Sequence, residues 1–348
     1  MPLALLPAMK VAVIVNAGAG SVGTDKCEER VREIRAAFAA AEVEAEIVLC
    51  EPARLTETAR QLAGAGAGKL DAIVAAGGDG TVSGIAAGLV GSEVPLAVLP
   101  LGTLNHFARD IAMPSGDLET ACRAIRDGKT EAIDVGEVNG HLFINNSSIG
   151  LYPEAVMRRD VERKQGGRRK WTAMLLAIAR VFKRFPLLSV CLATPERSVV
   201  TKTPFVFIGN NEYSTDMRTL GQRTTLDSGH LSLYTVRCRG RWHLLYLLGR
   251  ALFSRVEAVR SFETASVTEA TVMLRRRRLT VALDGEVVRM SSPLRYRIHP
   301  GVLRVIRGTP ETADAMASDD AEVTSSPDLA PARVVDPASR AASRAGQR

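Results

Sequence analysis

Leu70–Val82, LDAIVAAGGDGTV, decides the reading of this chain. After Asp71 its first half is apolar at consecutive positions, Ala72–Ala76, the pattern of a strand buried on both faces rather than one alternating between core and solvent. Its second half, Gly77-Gly78-Asp79-Gly80-Thr81, runs straight into a helical pattern extending to Val90. Strand, glycine loop and helix in that order form the unit of an open α/β sheet, where ligands settle beyond the carboxyl ends of the strands. Glycines there admit backbone N–H groups to phosphate oxygens, and the following helix N-terminus adds partial positive charge. Thr81 can cap that helix and donate to a phosphate. Asp79 is unexpected in a pure anion site, because a carboxylate repels phosphate unless a cation stands between them, so it points to Mg²⁺. The plainer alternative is a glycine turn in which Asp79 only caps the helix.

Further strands flank this unit: KVAVIVN (Lys10–Asn16), VEAEIVL (Val43–Leu49) and PLAVLP (Pro95–Pro100). Helical patterns fall between them at Asp25–Ala41 and Leu55–Ala63, with two more near Leu104 and Leu118. A second loop, PLGTLNHFAR (Pro100–Arg109), leaves its strand as the first does. Two adjacent strand ends with small, polar, phosphate-compatible loops are more than sheet topology requires. Beyond Asp134 the character changes to antiparallel β. VGEV and HLFI are joined by Asn139-Gly140, the dipeptide favoured in type I′ hairpin turns, and TPFVFIGN, HLSLYTV, ASVTEATVML, LTVALDG, LRYRI and LRVIR follow. Helical patterns at Trp171–Phe185 and Trp242–Val259 interrupt them. The expected organisation is an α/β nucleotide-binding domain over 1–134, a β-rich domain over 135–309, and a disordered tail over 310–348 that has no aromatic residue.

The 348 residues are 46% hydrophobic and 24% charged, enough apolar surface for a sizeable core. Five widely spaced cysteines without a C-x-x-C pair encode neither a disulfide framework nor a zinc site, and fit a reducing cytoplasm. The arginine-interrupted apolar stretches are too short to span a bilayer. The opening MPLALLPA lacks a positive n-region and runs into a core strand, so no signal peptide is expected, and Met9 is an alternative start. Net charge is +7, and the tail holds seven acids against four arginines, which leaves a folded body of about +10 suited to anionic partners. Nucleic acid is not favoured among these, since no recognition helix, zinc finger or aromatic RNA-binding signature is present.

GGDGT followed by PLGTLNHFAR resembles the diacylglycerol kinase catalytic family, which includes sphingosine, ceramide and bacterial lipid kinases. FINNSSIG (Phe143–Gly150), VFIGNNEY (Val206–Tyr213), LDSGHLSL (Leu226–Leu233) and LDGE (Leu283–Glu286) extend the resemblance over roughly Met9 to Gly308. It implies an N-terminal open α/β domain like those of NAD kinases and phosphofructokinases, a mostly antiparallel β-rich domain, and an active site in the cleft between them. ATP would then be held by Gly77, Gly78, Asp79, Gly80, Thr81, Val82 and Ser83 with Thr103 and Asn105. Asp79 would act with Mg²⁺, and Glu286 would be the general base toward a lipid hydroxyl. On the residues alone, Asp284-Gly285 reads as a hairpin turn with Glu286 merely exposed. The resemblance further implies a structural Mg²⁺ at an Asp-Asp-Gly element, here Asp227-Ser228-Gly229, which makes Asp227, Ser228 and His230 the candidate ligands; Ser228 is a weak donor for a hard cation. The N-P-x-x-G opening common in the family is Asn16-Ala17-Gly18-Ala19-Gly20 here, and its glycine run after the N-N pair is replaced by Ser214-Thr215-Asp216.

These readings lead to an ATP- and Mg²⁺-dependent lipid kinase in the cytoplasm, peripheral on the inner face of the membrane. The candidate membrane contacts are the cationic helical pattern at Arg168–Phe185, whose alternative is the core-facing side of an ordinary helix, and the run Arg275–Arg278, which reads first as a solvated hairpin loop between two strands. An NAD kinase-like small-molecule kinase and a non-catalytic nucleotide- or lipid-binding regulator are the alternatives. Monomer and homodimer are both open.

Overall fold

The computed structural model describes residues 8–17, 24–150, 188–194, 198–213, 223, 225–236, 262–275 and 277–309. The helical patterns at Trp171–Phe185 and Trp242–Val259, the residues Gly18–Gly20 and Ser214–Asp216, and the 310–348 tail lie outside them.

The first half alternates strands and helices: β1 (Lys10–Asn16), α1 (Thr24–Ala40), β2 (Glu44–Cys50), α2 (Leu55–Ala65), β3 (Ala72–Gly77), α3 (Asp79–Leu89), β4 (Leu96–Pro100), α4 (His106–Asp110) and α5 (Leu118–Asp127). The four strands are parallel in the order β2-β1-β3-β4. Every residue of β3 and β4 is buried, as their unbroken apolar runs require. Ile14, Ile73 and Leu99 of the sheet, with Phe38, Ile85 and Leu89 of the covering helices, belong to one core. The β3–β4 register ends with Gly77 opposite Pro100, which sets the two loops side by side at the same edge.

The second half contributes β5 (Lys129–Val138), β6 (His141–Phe143), β7 (Asn146–Gly150), β8 (Leu188–Ala193), β9 (Ser198–Thr203), β10 (Phe205–Asn210), β11 (Leu231–Val236), β12 (Phe262–Val267), β13 (Glu269–Leu274), β14 (Arg278–Leu283), β15 (Glu286–Ser291) and β16 (Leu294–Arg307). β16 runs antiparallel along β5 and parallel to β4 at Val305 and Leu96, so both halves share a ten-stranded sheet. A six-stranded sheet, β12-β11-β10-β7-β14-β15, supplies Val206, Ile208 and Val281 to a second core, which Val272, Phe143 and Tyr296 complete from the larger sheet. Among the described residues no helix is long and apolar enough to cross a membrane.

Asn139 and Gly140 both have positive φ, 48° and 83°, as the type I′ turn demands. Other boundaries differ from the sequence expectations. The division at residue 134 falls inside β5. LRYRI and LRVIR are not two strands but one, β16, which passes through a bulge between His299 and Leu303. ASVTEATVML breaks at Thr268 and serves both sheets, because the chain crosses from one to the other there. Arg275 and Arg277 are exposed on a link between the sheets rather than in a hairpin. β8 and β9 were not foreseen: Ser189, Ser198, Thr201, Lys202 and Thr203 dilute their apolar signal.

Candidate active site

Gly77 is the last residue of β3, Gly78 is the extended N-cap of α3, and Asp79 is the first helical residue. Thr81 is therefore not the cap expected from the sequence. It is buried inside the first turn, its N–H donates to Gly78 O at 2.9 Å, and its hydroxyl accepts from the Asn16 side-chain amide at 3.0 Å. The last residue of β1 is thereby tied to the glycine loop. Val82 faces the core, whereas the Ser83 hydroxyl donates to the Asp284 carboxylate at 2.8 Å.

The second loop lies directly against the first. A Cβ on Gly102 would stand 2.6 Å from Gly78 Cα, so no side chain fits between them. Asn105, in the left-handed region at φ 48°, accepts from Gly102 N–H at 3.0 Å and donates to Gly102 O at 2.9 Å. Both bonds fold its side chain back on the loop, and it is not among the residues that line the cavity. Thr103 is exposed on the same loop, away from the cavity wall. At the start of α4, Phe107 N–H donates to Asp79 Oδ1 at 3.3 Å, linking the two loops again.

The opposite wall comes from the second half. Asp284 and Gly285 do form the turn between β14 and β15, with φ 47° and 88°. The turn is also clamped: the Asp284 carboxylate accepts from the backbone N–H groups of Ile144, Asn145 and Asn146 at 2.8–3.0 Å, besides Ser83. Asp284 is the site residue that sequence reasoning passed over, since Asp-Gly spells an ordinary turn whether or not the carboxylate is buried. Burial raises its pKa, opposed by these hydrogen bonds. Glu286, two residues on, is exposed, as the turn reading expected, and opens onto the cavity; desolvation of its carboxyl by the surrounding walls and then the Asp284 charge raise it above the usual glutamate value. A Cβ on Gly80 would come within 2.9 Å of Glu286 Oε1. The candidate base thus reaches across to the glycine loop.

Between these walls lies a cavity of about 1050 Å³. Gly77–Thr81 and Ser83 line one side and Glu286 and Val288 another, with Arg30 of α1, Arg60 of α2 and His141 of β6 around them. Arg30 and Arg60 are paired with Glu33 and Glu57, and Glu29 and Glu33 also line the cavity. What suits a nucleotide's phosphates here is therefore the set of glycine N–H groups at the helix start, beside apolar lining from Val15, Leu55, Ala76 and Leu101. Asp79 offers the hard oxygen that Mg²⁺ takes, on the wall where phosphates would lie, so the donor set fits that ion. Asp227, Ser228 and His230 share a turn but do not converge as a cation site. The Ser228 hydroxyl donates to Asn211 Oδ1, the His230 ring bonds Ser228 O at 2.6 Å, and Asp227 is exposed. Among the described residues no three His, Cys, Asp or Glu side chains cluster to hold a metal.

Residues 10–138 match the family model of the diacylglycerol kinase catalytic domain. A probable YegS-like lipid kinase of Pseudomonas aeruginosa is 31% identical over 238 residues, 67% of this chain and 75% of that protein. A diacylglycerol kinase of Bacillus subtilis is 40% identical over 88 residues, 25% of this chain. That match spans only 29% of the B. subtilis protein's own length, and a match to an uncharacterized Synechocystis protein, 38% identical over 92 residues and 26% of this chain, spans 21% of that one. The crystal structure of a putative diacylglycerol kinase from Bacillus anthracis superposes with a TM-score of 0.64 at 24% identity, covering 88% of this chain and all of that one; it shares the fold.

Proposed function

Since the chain belongs to the diacylglycerol kinase catalytic family, we propose that it transfers the γ-phosphate of ATP to a hydroxyl of a lipid such as diacylglycerol or a sphingoid base. The observation that carries this reading is the placement of the Glu286 carboxylate against Gly80, so that base and phosphate loop face one space. Phosphoryl transfer needs alignment, charge neutralisation and a nearby base more than covalent catalysis. Gly77–Gly80 and the start of α3 hold the nucleotide phosphates through backbone N–H groups. Mg²⁺, when bound, neutralises phosphate charge, and Asp79 is the residue that would hold it. Asp284, fixed by three backbone N–H groups, aims the hairpin from which Glu286 projects. The raised pKa of Glu286 makes it a stronger base, able to take the acceptor's proton as its oxygen attacks phosphorus. The acceptor resides in a bilayer, so the protein works at a membrane surface, a setting its basic body favours.

The test is phosphate transfer from labelled ATP with Mg²⁺ to mixed micelles of diacylglycerol, sphingoid base, ceramide or phosphatidylglycerol, with NAD as a soluble comparator. Label in a lipid supports the reading. Label in NAD replaces it with a small-molecule kinase, and bound ATP with no transfer replaces it with a regulator.

A further inference from the structure

Outside the cavity lining, a buried cation joins the segments that support its two walls. The Arg223 side chain has 0% exposure and its partner Asp110, at the end of α4, has 8%. The guanidinium donates to Asp110 Oδ2 through Nε at 2.8 Å and also approaches it through Nη2 at 2.6 Å. Its remaining donors go elsewhere: Nη1 to Ile144 O at 2.5 Å and more weakly to Asn210 O at 3.4 Å, and Nη2 to Asn145 Oδ1 at 2.9 Å. It also lies over the Phe107 and Tyr213 rings, 5.8 and 6.0 Å from their centroids.

The partners matter more than their number. Phe107 and Asp110 belong to α4, whose Phe107 N–H holds Asp79. Ile144 and Asn145 are two of the three residues whose N–H groups hold Asp284, next to Glu286. One planar fork thus grips the segment that orients the loop carboxylate and the segment that orients the base. We propose that Arg223, held by Asp110, is a positioning residue that sets the separation of Asp79 and Glu286 across the cavity. It does not touch the reactants. The proposal rests on the kinase reading, and it assigns a role to two residues, Arg223 and Asp110, that lie outside the quoted motifs.

Displacements near 1 Å at a reacting centre are enough to slow transfer about a hundredfold while leaving binding almost untouched. Two variants test the role. Arg223→Lys keeps the charge and loses the fork. The double variant Asp110→Leu with Arg223→Met removes the pair without stranding a buried charge, which protects the fold. Each is measured for thermal unfolding, ATP affinity, kcat and KM on the lipid that the wild type labels, and amide exchange at Phe107, Ile144 and Asn145.

The expected result in a folded variant is ATP affinity within about threefold of wild type, kcat lower by about tenfold or more, and faster exchange at all three amides. Wild-type kcat in either folded variant overturns the proposal, as does a loss confined to ATP affinity. If the double variant does not fold, Arg223→Lys decides alone. If the wild type labels no lipid, the kinase reading fails separately; unchanged exchange at the three amides then overturns the positioning role, and faster exchange upholds the link between the two walls.

Discussion

Gly80→Ala separates the geometry of the site from the stability of the fold. Gly80 is the second residue of α3 and its φ is not positive, so alanine suits the backbone and should add about 1 kcal/mol of helix propensity. The new methyl would nevertheless sit 2.9 Å from Glu286 Oε1 and 3.9 Å from its Cδ, whereas ordinary contact begins at 3.4 Å. The mobile party is the end of a glutamate side chain, so the carboxylate retreats by about 0.5 Å and the helix stays. For a base that must meet a hydroxyl in line with phosphorus, a shift of this size should cost about tenfold to a hundredfold in kcat, or about 1.4–2.7 kcal/mol of barrier. The assay is steady-state kcat and KM beside thermal unfolding, repeated in a Glu286→Ala background. Expected are an unchanged or raised Tm, a depressed kcat, and no further loss from Gly80→Ala once Glu286 is gone. Wild-type kcat would refute the placement of the base against the loop, and a lowered Tm would show that the backbone, not the carboxylate, gives way.

The pH response follows from Glu286. Its ionised form is the base, so kcat should fall with decreasing pH along an acid limb that lies above the usual glutamate range; a limb at the ordinary value near 4.3 would contradict the raised pKa. Stability has the opposite sense: a carboxyl whose folded pKa is raised contributes fully below its unfolded pKa and loses that contribution as pH rises through the folded one. Glu286→Gln should therefore melt higher than wild type at pH 8, with the gap closing near pH 4; a lower melting point at pH 8 would refute it. Asp284→Ala strands the N–H groups of Ile144, Asn145 and Asn146 and the Ser83 hydroxyl, and should cost about 2–4 kcal/mol in urea unfolding, while unchanged stability would show the clamp to be idle. Asn105→Ala loses both Gly102 bonds in a left-handed conformation, whereas Asn105→Gly loses only the bonds, so alanine should destabilise by about 1 kcal/mol more than glycine; equal losses would count against backbone strain.

Much of the first half was legible because its signals are local. Five consecutive buried residues in LDAIVAA spell a two-sided strand, and the glycines after it mark the loop. Asn139-Gly140 specified its turn, and GGDGT and LDGE marked opposing walls before either could be seen to face the other. What stayed hidden depends on contacts far apart in sequence. Thr81 serves as an acceptor for Asn16 instead of capping α3, a role set by the neighbouring β1. Thr103 and Asn105 occupy one motif, yet one is exposed and the other folded back on Gly102, which no residue pattern distinguishes. Asp284 looks like any turn aspartate until β7 delivers three N–H groups to it. Arg223 and Asp110, 113 residues apart, carried no signal at all.

The most direct test of the account is lipid labelling by Glu286→Gln against wild type under identical ATP and Mg²⁺, with ATP affinity measured on both. The account predicts label in the lipid phase for wild type, a rate at least about a hundredfold lower for the variant, and ATP affinities within about threefold of each other. Equal labelling by the two proteins would contradict the assignment of Glu286 as the base, and the absence of lipid label from wild type with ATP bound would contradict the kinase itself.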